Sequence, residues 1–122
     1  MALMTATTTK SQKAKGRTLQ NQVRDDLIKA LSLNPGDVQG RGMGQQGCDI
    51  VMSSSARLLV PFAVECKNQE HIKIWEALQQ ANTNAGKEDL KPLLVFKRNR
   101  SDIYACMKWE DLLALLGAVK CL

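Results

Sequence analysis

The sequence predicts a single α/β domain, and three observations predict it. Runs with helical spacing alternate with short apolar runs in the order α-β-β-α-β-β-α, no internal repeat divides the chain, and its 122 residues are 44% hydrophobic. A chain of that size and apolar content buries one core without a disulfide or a structural metal.

The elements follow in order. Thr18 to Leu33 sets Leu19, Val23, Leu27, Ala30 and Leu31 at helical spacing, with Thr18 as N-cap and Asn34-Pro35-Gly36 as the stop. Asp37 to Gly47 carries Gly40, Gly42, Gly44 and Gly47. It reads as a flexible loop, or as backbone able to lie close against another surface such as a phosphate chain. Neither a GxGxxG nor a Walker spacing is present. Gly47 to Met52 and Leu58 to Val64 are apolar runs separated by Ser53-Ser54-Ser55-Ala56-Arg57, the pattern of a β-hairpin. Ile72 to Ala85 is helical, with Ile74, Trp75, Leu78 and Ala81 as its apolar stripe, so Trp75 is assigned to the core. Pro92 to Lys97 and Ile103 to Met107 are two further strands joined by the basic turn Arg98 to Asp102. Glu110 to Val119 closes the chain as a third helix, whose Leu112, Leu113, Leu115 and Leu116 either fill the core or form an apolar patch.

The formal net charge of +5 is concentrated at the start, where Lys10, Lys13, Lys15 and Arg17 stand with no acid among them. Residues 1–17 are rich in Thr, Lys, Ser and Ala, lack apolar periodicity and lack the apolar centre of a signal peptide. They read as a basic flexible arm that faces DNA or serves only solubility, and the single domain then spans 18–122. Cys48, Cys66, Cys106 and Cys121 form no Cys-x-x-Cys pair, and His71 is the lone histidine, so reduced thiols in the cytoplasm are expected rather than zinc. No stretch approaches the roughly 20 apolar residues of a membrane span.

The chemistry concentrates in Glu65-Cys66-Lys67, at the end of the apolar run. Side chains of a strand alternate faces, so Glu65 and Lys67 point one way with Ala63, and Phe62, Val64 and Cys66 point the other. A buried face is a costly place for charge. Across the expected hairpin Asp49 reaches the same wall, and two carboxylates there make a hard oxygen site suited to Mg²⁺ or Mn²⁺. Asp49 and Glu65 would hold the ion, with the backbone carbonyl of Cys66 pointing at it. Lys67 would orient the attacking water or stabilise charge on a phosphate, as phosphodiester hydrolysis requires. A salt-bridged strand edge gives the same E-x-K pattern; the apolar run and Asp49 lean against it.

Asp49 followed by Glu65-Cys66-Lys67, after one helix and before another, resembles the PD-(D/E)xK nuclease superfamily. Within it the chain is similar to small Holliday junction resolvases of archaeal type and their phage-encoded relatives, over nearly all of the sequence after Gly16. Cys48 stands where the family name has proline, a residue that is not a ligand. The resemblance implies a restriction-endonuclease-like αββαβ core, with a central mixed sheet flanked by helices. It implies a Mg²⁺-dependent homodimer, with Mn²⁺ as a substitute, that cuts four-way DNA junctions in the cytoplasm of a bacterial or archaeal host.

The archaeal resolvases carry a glutamate on the first helix in a Gly-x-x-x-Glu pattern, and counting from Gly16 puts Gln20 there. Its amide would orient water or donate to phosphate, with Asp25 or Asp26 as substitute acids. The superfamily also places a glutamine on the helix after the E-x-K strand; Gln80 is the candidate, Gln79 the second, and an exposed helix amide the alternative for each. DNA contacts fall to Lys10, Lys13, Lys15, Arg17, Arg41, Arg98 and Arg100. Two other readings stand beside the resolvase: a nicking or restriction-like endonuclease acting on duplex DNA, and a non-catalytic DNA-binding protein on a nuclease scaffold.

Overall fold

The computed structural model describes residues 2–42 and 44–121. Helix α1 runs over Ala2–Leu31. The boundary expected at residue 17 therefore lies inside a helix, and Met1 lies outside the described residues. Thr18, expected as the N-cap, instead donates its hydroxyl to the Ala14 carbonyl at 2.9 Å. Ala, Lys and Gln are good helix formers, and no proline interrupts them before Leu31.

Asn34 stops α1 and starts a 3-10 turn over Pro35–Asp37, its side chain accepting from Gly36 N at 2.9 Å. Strand β1, Val38–Gly40, then lies within the stretch expected as a loop. It pairs antiparallel with β2, Ile50–Met52, in the register Val38↔Met52 and Gly40↔Ile50. The hairpin expected between the two apolar runs is thus replaced, because the serine segment is not a turn. Ser53 caps a six-residue helix, α2 (Ser54–Leu59), by accepting from Ala56 N, and Pro61 follows where a helix cannot continue.

Strand β3, Phe62–Asn68, runs parallel to β4, Lys91–Lys97, with α3, Ile74–Glu88, as the crossover. Strand β5, Tyr104–Met107, pairs antiparallel with β4, giving a three-stranded mixed sheet in the order β3-β4-β5. Helix α4, Trp109–Lys120, ends the chain.

The two sheet faces differ. Phe62, Val64, Cys66 and Val95 join Leu19 and Val23 of α1, and Val38, Ile50 and Met52 of the small sheet, in the main core. The other face carries Ala63, Glu65 and Leu94, and α3 lies on it with Ala77, Ala81, Asn84 and Ala85 buried. Alanine against alanine lets that helix approach closely. Trp75 was expected in this core, yet it is 80% exposed, because the small residues and not the large ones form the buried stripe. The leucines of α4 do not fill the core either: Leu113, Leu115 and Leu116 are exposed. Asp111 is the buried residue of α4, paired with Lys91 at 3.5 Å. Among the described residues no helix is long and apolar enough to cross a membrane.

Candidate active site

Asp49 precedes β2, and its backbone ties the small sheet to the large one. Its amide donates to the Val64 carbonyl at 2.9 Å, and its carbonyl accepts from Arg41 N at 2.7 Å. Its side chain is turned onto β3, where Oδ2 accepts from Cys66 N at 2.7 Å. Asp49 therefore reaches the wall of Glu65 through a backbone bridge rather than through a hairpin.

Glu65 is 1% exposed. Its Oε1 accepts from the Asn84 side-chain amide at 2.7 Å. Burial, then the charge of Asp49, pushes its carboxyl up to about 7, while Asn84 and Lys67 pull in the other direction. Burial likewise raises Asp49, opposed by the Cys66 amide and by Lys67. Two carboxyls facing each other in a desolvated wall cannot both ionise without a cation. Cys66 N holds one oxygen of Asp49 and Asn84 holds one of Glu65, and without a metal the two carboxyls are hydrogen-bonded to each other, which places a proton between them where a cation would replace it. That donor set fits a hard divalent ion, with Asp49 and Glu65 as its holders, and such an ion activates water and neutralises phosphate charge. No third Asp, Glu, His or Cys joins them in a metal-holding group among the described residues.

Asp49 opens into a cleft of about 550 Å³ lined also by Asn84, Gln80 and the Gln45–Gly47 loop, and Glu65 lies buried behind Asn84. Lys67, half-buried, lines an adjoining cleft of about 280 Å³. Gln80 lines both clefts and Gln79 only the first, which separates the two candidate glutamines.

The Gln20 side chain is turned onto the backbone of the site. Its Nε2 donates to the Asp49 carbonyl at 2.7 Å and to the Arg41 carbonyl at 3.3 Å, so it grips the backbone behind the site. Asp25 and Asp26 lie on exposed α1, bonded to Arg24 and Gln22, and do not join the site. Arg41 is turned inward: its Nε donates to Cys48 O at 2.6 Å and its Nη2 lies 3.7 Å from Glu88, which also pairs with Arg57. A Cβ on Gly47 would lie 2.7 Å from Arg41 Cζ, and Gly47 has φ +119°, so this turn requires glycine. Burial raises the thiols of Cys48 and Cys66, which keeps both protonated.

Lys10, Lys13 and Arg17 are exposed on α1, and Arg98 and Arg100 on the β4–β5 turn. Lys15, half-buried, lines a cleft with Asn68, Gln69 and His71, and its carbonyl accepts from Asn68 at 3.3 Å. Asn84 was not visible from the sequence as a site residue. The available signal was a polar residue set among Ala77, Ala81 and Ala85, one turn beyond Gln80.

No curated protein and no solved structure matches the chain. The profile of the family described as "Phage putative PDDEXK endonuclease" matches residues 11–120. That span takes in the paired acids, the lysine beside them and the helix that holds Glu65, and the chain belongs to this phage PD-(D/E)xK endonuclease family.

Proposed function

We propose that this protein is a Mg²⁺-dependent endonuclease that cuts branched DNA, four-way junctions above all. The observation that carries the chemistry is the pairing of half-buried Asp49 with buried Glu65, one oxygen of each held by Cys66 N and Asn84, beside Lys67. Asp49 and Glu65 hold the metal, which supplies an activated water and charge neutralisation at the phosphate. Lys67 stabilises the charge that develops on the phosphate, and Gln80 orients the water from α3. Cys66 lends its carbonyl to the same ion. The basic residues of α1, with Arg98 and Arg100, contact the DNA backbone and fix its path.

Resolution of a junction requires two symmetric incisions and hence a two-fold dimer. The exposed leucines of α4 supply an apolar surface for it. The protein acts in the cytoplasm of the phage host.

The test is cleavage of a four-way junction and of its component duplexes, with and without Mg²⁺. Metal-dependent cutting of the junction, lost in Asp49→Asn and Lys67→Ala with DNA affinity kept, is the expected result. Equal cutting of the duplexes would replace the resolvase by a nicking or restriction-like enzyme. Absence of cutting with either Mg²⁺ or Mn²⁺ would leave a DNA-binding protein.

A further inference from the structure

The site lysine belongs to a row that crosses the whole sheet. Lys67 pairs in register with Phe96 of β4, and Phe96 with Tyr104 of β5. Directly opposed residues of paired strands share a face, with strands about 4.8 Å apart. Lys67, Phe96 and Tyr104 therefore stand side by side, one row beyond Glu65, Leu94 and Cys106.

Tyr104 is 57% exposed. Its ring centroid lies 6.1 Å from that of Phe96, with 31° between the planes. The two rings are tiles of one platform rather than a stack. Together with Ile72 they floor a cleft of about 240 Å³ whose rim carries Gln69, Lys97 and Arg98. Gln69 also lines the cleft of Lys67, so the two are neighbours. The rim acid Glu70 accepts from Asn99 N at 3.1 Å, which engages its carboxylate within the protein.

We propose that this cleft is a nucleobase subsite. On a DNA strand whose phosphate lies at Lys67, an unpaired base beside that phosphate stacks on Phe96 and Tyr104, and Lys97 and Arg98 meet the neighbouring phosphates. Aromatic faces bordered by cations are the composition that binds single strands. An apolar peptide would have no use for the cations. A base inside a duplex has both faces covered by its neighbours and cannot reach the platform, so the subsite selects DNA with unpaired or splayed bases. The inference rests on the nuclease reading and puts its preference for branched DNA into named residues.

The experiment uses the Asp49→Asn protein, which keeps the DNA uncut, and flapped DNA carrying 2-aminopurine at each unpaired position in turn. Stacking should quench the probe at one position and leave a fully paired control unchanged. Tyr104→Leu in the same background should abolish the quench and weaken binding of the flapped DNA about tenfold. Tyr104→Phe should keep both. Tyr104 is exposed, so circular dichroism should show the leucine variant folded. Quenching that survives Tyr104→Leu, or equal quenching in paired duplex, overturns the subsite. So does a leucine variant that changes only the sedimentation of the protein. The parent is assayed on the same DNA with Mg²⁺. Quenching without cleavage overturns the nuclease reading and supports the subsite, whereas cleavage and quenching unaffected by Tyr104→Leu overturn the subsite alone.

Discussion

The side-chain amide of Gln20 donates to the backbone carbonyl of Asp49 at 2.7 Å, and by that bond the first helix fixes the height of the first acid. The same amide reaches Arg41 O at 3.3 Å, and the Gln20 carbonyl oxygen sits so close to Gly40 that a Cβ there would lie 2.9 Å from it. A carboxylate at this position would confront two carbonyl oxygens with no donor. Gln20→Glu, although it adds an acid to the first helix, is therefore expected to destabilise the fold by roughly 1–3 kcal/mol and to add no metal affinity. Denaturant unfolding and calorimetric titration with Mg²⁺ measure the two effects. Tighter metal binding by Gln20→Glu at unchanged stability would refute this role.

Glu65 gives a pH dependence with a definite sign. Its carboxyl moves from an ordinary 4.5 to about 7 in the folded, metal-free protein, because burial and the charge of Asp49 disfavour the ionised form. The native state then holds the proton more tightly than the unfolded chain. The stability this confers is complete below the unfolded value and is lost as the pH rises through about 7, a loss on the order of 3 kcal/mol. Glu65→Gln is isosteric, keeps an oxygen for Asn84 and carries no charge. Without metal at pH 8 it should be more stable than the parent, while at pH 4 the two converge, and it should bind no Mg²⁺. Urea unfolding at the two pH values decides it; a variant no more stable than the parent at pH 8 would remove the claim that this carboxylate is held at a cost.

The two halves of the site differ in how far they could be read from the chain. Glu65 and Lys67 share a face by the two-residue period of a strand, a local rule that the sequence carries in full. Asp49 reaches the same wall by a route no local rule contains. A glycine-rich segment becomes β1, Ser53 caps a helix instead of turning a hairpin, and a backbone bond to Val64 carries the acid across. Helix α3 misleads for a related reason. Its large residues mark a plausible apolar stripe, but the helix docks by its alanines, and the approach this permits brings Asn84 to Glu65 and leaves Trp75 in solvent. The mixed sheet is legible because each of its three strands is a compact apolar run.

On the proposed function, Asn84 should tune metal binding through its bond to Glu65. That bond favours the ionised carboxyl. Asn84→Ala removes it, so the Glu65 pKa rises further and proton competition with the metal extends to higher pH. Mg²⁺ affinity measured at pH 7 should fall several-fold and approach that of the parent at pH 9. A uniform loss at both pH values would mean that Asn84 acts by packing alone.

Helix α4 should hold two copies of the protein together. It is apolar on every side, yet Asp111 is its one buried residue, tied to Lys91 at 3.5 Å. A helix of that composition is normally covered. Trp109, Leu113 and Leu116 follow one another at helical spacing and are 69%, 48% and 54% exposed, with Leu115 and Val119 on the adjoining strip. A two-fold contact through this helix is self-complementary, and a stable one buries about 800 Å² from each partner. Leu113→Glu with Leu116→Glu places four carboxylates in such a contact. Because both leucines face solvent within one copy, the pair should shift unfolding of the monomer by only about 0.5 kcal/mol per site. Sedimentation at micromolar concentration should show a dimer for the parent and a monomer for the double variant. On the proposed function the variant should keep its metal affinity, because neither leucine lies at Asp49 or Glu65, and lose the paired incisions of a junction while single nicks persist. A parent that sediments as a monomer with and without junction DNA would end the case for a dimer.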